Sequence, residues 1–237
     1  MRFIKRLVLF IIVIAVLVMC YRHYKPQIVR FFSERGINVP GVTDDQQLFP
    51  TSQVVVDEEG NSSVVISVPS TYGDSITAEQ LDQMMINSQG RLEAYKLDDG
   101  SISITVASEY RDEILSQMSS YYDDTVLNRL IEDKVISITH NSDYSSFSVT
   151  CAPDMSETEL LSLTGKLFAI GKFYSSFAGV QNESIRVDIV NSQTGFITNT
   201  YLSDDVGQGL ANDARNWAVD TFDNLVTTVV DTMENAS

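Results

Sequence analysis

Fourteen consecutive residues, Leu7 to Cys20, read LVLFIIVIAVLVMC and carry neither a charge nor a strongly polar group. As a helix this run is about 21 Å long, short of a hydrocarbon core of about 30 Å. Lys5 and Arg6 precede it and Tyr21 and Tyr24 follow. With those lysine and arginine stems snorkelling towards headgroups, Phe3 to Tyr21 spans roughly 28 Å. The exit from the run, Leu17-Val18-Met19-Cys20-Tyr21, lacks the small residues that signal cleavage requires. The run therefore reads as an uncleaved signal anchor, a single transmembrane helix with Leu7, Phe10, Ile11, Ile14, Leu17 and Met19 facing lipid. Cys20 leaves a second reading open, bacterial acylation after cleavage, although Met19 stands where a small residue belongs. A helix buried in a core is the third.

Charge divides the chain at the same place. Residues 1–35 hold seven basic side chains against the single acid Glu34, a balance of +6; the other 202 hold nine basic and 31 acidic, a balance of −22. Such a break separates an anchoring segment from a folded body. Basic residues flank the apolar run almost equally, so the positive-inside rule does not orient it. The lysine-poor, Ser/Thr/Asn/Tyr-rich body suits an external surface, which places residues 36–237 outside the cell. The basic stretch 22–35, with Ile28, Val29, Phe31 and Phe32, reads as a short amphipathic helix on the outer headgroups. Partner classes follow: a lipid bilayer, and an envelope protein or glycan. A body this acidic lacks the basic face that nucleic-acid binding needs. Domain bounds on this reading are 1–35 for the anchor and juxtamembrane segment, 36–53 for a linker with Pro40, Gly41 and Pro50, and 54–237 for the folded body.

Within the body, apolar residues alternate at strand spacing in several short runs. Val54–Val56 and Val64–Val68 flank a turn at Asp57–Asn61. Ile102, Ile104 and Val106 follow the turn Asp98-Asp99-Gly100. Ile136 and Ile138 pair across Asn141-Ser142-Asp143 with Phe147, Val149 and Cys151. Ile185, Val187 and Ile189 pair across Ser192–Gly195 with Phe196–Tyr201. Helical spacing falls between them. Thr77 and Gln80, and Ser156 and Glu159, have capping-box spacing. Ser108 is placed to cap a helix running to about Asp133, which Asp123-Asp124 breaks or kinks. Leu160 to Phe177 is apolar over much of its circumference and predicts a central buried helix. Leu210–Met233 closes the chain as an amphipathic helix. Hairpins separated by helices indicate an α+β fold, an antiparallel sheet of five to seven strands with helices packed mainly on one face. The other face exposes Ser103, Thr105, Ser148, Thr150 and similar residues to water.

Three stretches, Asp98–Ile102, Asn141–Val149 and Val187–Gly195, in this order and spacing, resemble an uncharacterised extracytoplasmic domain of surface lipoproteins and anchored proteins from clostridia-like Gram-positive bacteria. The resemblance covers roughly residues 54–203. It implies a membrane-tethered α+β domain and carries no functional residue with it.

No G-x-S-x-G, H-E-x-x-H or C-x-x-C motif is present. Cys151 and His140 are the body's one candidate nucleophile and base. Cys151 keeps step with Phe147 and Val149, which makes it a buried structural thiol, and His140 reads as a surface turn residue. The acid pairs Asp44-Asp45, Asp98-Asp99, Asp123-Asp124 and Asp204-Asp205 lack the alternating ligand order of a calcium loop. No metal, cofactor or catalytic set is expected. Tyr121, Tyr122, Tyr144 and Trp217 are the candidate partner surface, since exposed aromatics stack on sugars or proteins; the alternative is that they line the edge of the core with wet hydroxyls. A non-enzymatic binding or scaffolding domain at the envelope is the first functional expectation. A surface hydrolase using paired carboxylates, and a membrane-complex subunit docking through its last helix, are the alternatives.

Overall fold

The computed structural model describes residues 49–57, 60–73, 76–180, 183–205 and 216–228. The anchor residues Leu7, Phe10, Ile11, Ile14, Leu17, Met19 and Cys20 lie outside the described residues, as does most of the 36–53 linker. Among the described residues no helix is long and apolar enough to cross a membrane.

The chain from Leu48 onward is an α+β unit. Strands β1 (Thr51–Val56) and β2 (Ser62–Val68) form the expected hairpin. A single helical turn, Ser70–Gly73, leads to helix α1 (Ala78–Asn87). The Thr77 capping box is made in full: its hydroxyl accepts from the Gln80 amide, and the Gln80 side chain accepts from the Thr77 amide. Strands β3 (Leu92–Lys96) and β4 (Ile102–Ala107) follow, completing a four-stranded antiparallel sheet in the order β1-β2-β4-β3. Helix α2 (Ser108–Tyr121) runs into a π-helical turn, Tyr122–Leu127, and one last turn, Asn128–Leu130. Strands β5 (Val135–His140) and β6 (Ser146–Cys151) form the next hairpin. Helix α3 (Glu157–Ala178), capped by Ser156 and Glu159, crosses to β7 (Arg186–Asn191), which pairs parallel with β6; β8 (Ile197–Leu202) returns antiparallel to β7. This second sheet has the order β5-β6-β7-β8. Residues 216–228 form helix α4.

The expected single antiparallel sheet is thus two four-stranded sheets, one of them mixed. A 22-residue helix is long enough to carry the chain back along β6 and start β7 in parallel. β3 was not legible as a strand because only Leu92 and Ala94 are buried in five residues, squeezed between two turns. β1 begins at Thr51, three residues before the predicted strand, and Pro50 is tied down by a 2.8 Å bond from the Ser176 hydroxyl to its carbonyl. Ser108 is not a cap: Ala107 occupies that position, and the Ser108 hydroxyl is bonded instead to Ser62 at 2.6 Å.

The apolar face of each sheet turns towards shared helices. Val64, Ile66, Val68, Ile102, Ile104 and Val106 are at most 1% exposed on the first sheet; Phe147, Val149, Val187 and Ile189 do the same on the second. α3 serves both. Its middle lies against β7, where Gly171 leaves room for the Tyr144 carbonyl and Ile185, and its end reaches Val54 and Val64 at the left-handed Gly179. Each fully buried Ile, Val or Phe contributes about 1.5–3 kcal/mol. The opposite strand positions (Ser103, Thr105, Ser148 and Thr150) are half-exposed, as the alternation predicts.

Candidate functional site

The described polar side chains converge most closely at the turn between β5 and β6. His140 ends β5, and the turn behind it is locked by its own side chains. Asn141 Oδ1 accepts from the Ser146 amide at 3.0 Å, and Asp143 Oδ1 accepts from the Ser145 amide and hydroxyl at 3.1 and 2.7 Å. Those bonds hold the Asp143 carboxyl below its usual range, the Ser145 hydroxyl first among them. The turn forces Tyr144 to φ +55°, a left-handed conformation that costs a non-glycine residue of order 1 kcal/mol or more.

That conformation buries the Tyr144 ring. It stacks on His140 at 4.2 Å and 14°, and meets Tyr122 and Tyr174 at 5.7 and 4.7 Å. Its hydroxyl donates to Asp123 Oδ1 at 2.7 Å. His140 Nε2 lies 3.0 Å from the same oxygen, and His140 Nδ1 lies 2.8 Å from the Asn141 carbonyl. Both ring nitrogens therefore face oxygens that only accept. A neutral imidazole donates to one of them; the imidazolium donates to both.

Asp123 reaches this position because the helix slips register. The π-turn carries Asp123 and Asp124, and the Asn128 side-chain amide donates to the backbone carbonyls of both at 3.0 and 3.1 Å, satisfying groups the slip releases. The sequence pointed to a break or kink at Asp123-Asp124; the helix instead widens and continues. His140, expected on a surface turn, is half-buried and bonded. Asp123 was legible only as a helix breaker, and the signal that could have found its role is the Tyr-Tyr-Asp-Asp run facing the body's one histidine.

Burial, and then the bond to Asp123, push the Tyr144 hydroxyl well above its ordinary value, so it donates rather than attacks. Cys151 pairs with Val135 at the far end of the hairpin from the His140–Phe147 pair. Four strand residues separate Cys151 from Phe147, about 13 Å. The thiol is 3% exposed and raised by desolvation, as expected of a structural cysteine. Asp99 is lowered by Ser101, and Glu159 is drawn down to about 2, by the Ser156 hydroxyl first. Glu183 is raised, by burial and then by the neighbouring Asp143. Its backbone carbonyl accepts from Lys172, which also pairs with Asp204 at 3.6 Å. Among the described residues no group of three or more His, Cys, Asp or Glu could hold a metal.

Of the predicted partner surface, Tyr122 and Tyr144 are 2% and 1% exposed, and Tyr121 and Trp217 are half-buried. This corrects the expectation of a projecting aromatic patch: the π-turn rotates Tyr122 inward, and the strained turn does the same for Tyr144. The stripe on α4 is closed as well. Ala218, Phe222, Leu225 and Val226 are buried against the body, with Phe222 stacked on Phe173 at 4.9 Å. Two hollows beneath α4 are lined by Met84, Phe177, Phe222 and Leu225 and by Phe173 and Trp217, with no charged side chain in either.

No protein-family model matches the chain, and no curated protein or solved structure matches it.

Proposed function

We propose that this chain is a membrane-anchored extracytoplasmic protein with a non-enzymatic binding or scaffolding role at the bacterial envelope. The observation that carries the reading is the fate of the reactive side chains. His140 is spent holding Asp123 and Tyr144, Cys151 is buried about 13 Å away, and Asp99, Asp143 and Glu159 are held ionised by hydroxyl and amide donors in turns and a helix cap. The basic apolar start, the −22 body and the half-exposed Ser/Thr sheet faces support an anchored domain facing out.

Protease added to intact cells is expected to degrade the body while a cytosolic control survives; full protection of the body overturns the external placement. A surface hydrolase is the second reading. The opposed shifts of Asp143 and Glu183 favour it, because acid–base cleavage uses neighbouring carboxyls whose proton affinities are pushed apart. Neither residue lines the hollows described above.

A further inference from the structure

We propose that β8 is a self-association edge, on which a second copy of this chain adds its own β8 antiparallel and joins the two second sheets into one. Among the described residues β8 pairs only with β7, and Ile197, Thr198, Asn199, Thr200 and Leu202 are exposed. The Ser203 amide donates to the Ile185 carbonyl at 2.9 Å. By antiparallel alternation Tyr201 and Asn199 also turn their backbone groups to β7, while Thr200 and Leu202 turn theirs outward. Natural edge strands are blunted by charge, proline or cover. β3 carries Glu93 and Lys96 and lies against α1. In β1, the Asp57–Asn61 bond turns Ser52 outward by the same alternation, and Ser52 is 8% exposed, so that edge is covered at one end. Among the described residues β8 has neither protection.

Charge selects the occupant. The chain carries −16, yet residues 189–203 contain no Asp, Glu, Lys, Arg or His, and at their tip Phe196 and Ile197 are 75% and 55% exposed. Beside them Arg186 and Asp188 neutralise one another at 3.0 Å. This is a stretch along which two strongly acidic copies meet without facing each other's carboxylates. Charge also fixes the direction. With Thr200 on a two-fold axis, the Asp204-Asp205 pairs of the two copies lie about 27 Å apart, beyond a Debye length of about 8 Å. Parallel pairing in register would set them about 5 Å apart. The contact is isologous and closes as a dimer. It does not depend on residues 7–20 crossing a bilayer.

The test uses the full chain in detergent micelles, in a Cys20→Ser background, with Thr200→Cys introduced. Directly opposed, hydrogen-bonded residues of an antiparallel pair lie about 5.5 Å apart at Cα, within disulfide reach. Oxidation is expected to yield a covalent homodimer from Thr200→Cys and none from Ile86→Cys, a 67% exposed control on α1. Light scattering of the wild-type chain is expected to give a dimer mass. Thr200→Pro, tolerated where an edge N–H faces outward, and Thr200→Lys, which sets two ammonium groups across the axis, are each expected to raise the dimer dissociation constant at least tenfold with an unchanged circular dichroism spectrum. Equal cross-linking from both cysteines, a wild-type monomer at every concentration, or a Thr200→Lys chain that dimerises as tightly as the wild type overturns the proposal. So does a cross-link from Thr200→Cys to a different protein, which would make β8 a site for a foreign strand.

Discussion

The two sheets are built by the same succession, strand–strand–helix–strand–strand, and differ in where the last strand folds. In the first half β3 runs parallel to β2 but one place removed, and β4 returns into the gap between them, giving β1-β2-β4-β3. In the second half β7 lies directly beside β6, so β8 has no gap to enter and returns outward, giving β5-β6-β7-β8. One choice of side decides the burial of a whole strand. β4 alternates buried and half-exposed residues, with Ile102, Ile104 and Val106 at most 1% exposed; five of the six residues of β8 are exposed. Equivalent places in the chain order are therefore not equivalent in energy: β4 is a centre of the core, and β8 is an edge left over for a partner.

The largest effect that sharpens this contrast comes from truncating the same residue type in both strands. Ile104→Ala opens a cavity in the centre of the first sheet and is expected to destabilise by about 3 kcal/mol. Ile197→Ala, at 55% exposure, is expected to shift stability by no more than about 0.5 kcal/mol. Urea denaturation followed by circular dichroism measures both. Comparable losses would mean that β8 is buried in solution and that the two halves are alike after all.

A smaller effect probes how tightly the second crossover is seated. Gly171 lies mid-way along α3, and a Cβ there would sit 2.5 Å from the Tyr144 carbonyl oxygen and 2.8 Å from Ile185 Cδ1. One obstacle is backbone, so it cannot swing aside. Overpacking of this kind costs about 1–3 kcal/mol and outweighs the gain of about 1 kcal/mol that alanine brings to a helix interior. Gly171→Ala is expected to be net destabilising by up to about 2 kcal/mol in the same denaturation experiment, from these two opposed terms. A stabilised variant would show that the β5–β6 turn yields, and that the strain at Tyr144 is not enforced by α3.

Alternation and capping made most of these elements legible. Val64–Val68, Ile102–Val106, Phe147–Cys151 and Val187–Ile189 announce strands with one apolar face, and both capping boxes mark helix starts that the structure confirms. The division into two sheets was not legible, because strand spacing says which face is buried and not which strand is the neighbour. The Asp123–His140–Tyr144 contact was hidden for a related reason. It joins a helix to a hairpin 17 residues further on through a π-turn, and a one-residue register slip leaves the apolar stripe of α2 almost unchanged. Tyr122 and Tyr144 read as surface residues because their polar ends are visible in sequence while the turn geometry that buries them is not.

The two helices that begin each crossover carry the finest contrast, since one capping box is neutral and the other charged. At α1 the reciprocal partner of Thr77 is Gln80; at α3 the partner of Ser156 is Glu159, also 3.2 Å from Lys134. Thr77→Ala is expected to cost about 1 kcal/mol at every pH where the fold holds. Ser156→Ala removes the hydroxyl that is the first cause of the low Glu159 proton affinity. The sign follows from linkage. A carboxyl lowered in the folded state stabilises it fully above its unfolded value, near 4.5, and loses that contribution as pH falls through the folded value, about 2. The deficit of Ser156→Ala relative to wild type is therefore expected to shrink as pH falls from about 5 to 2, while that of Thr77→Ala stays flat. A carboxyl-detected NMR titration should show the Glu159 midpoint rising from about 2 towards 4.5 in Ser156→Ala. A midpoint unmoved by the substitution would assign the low value to the backbone N–H of residue 156 and to Lys134 instead, and the Ser156 hydroxyl would have no part in it.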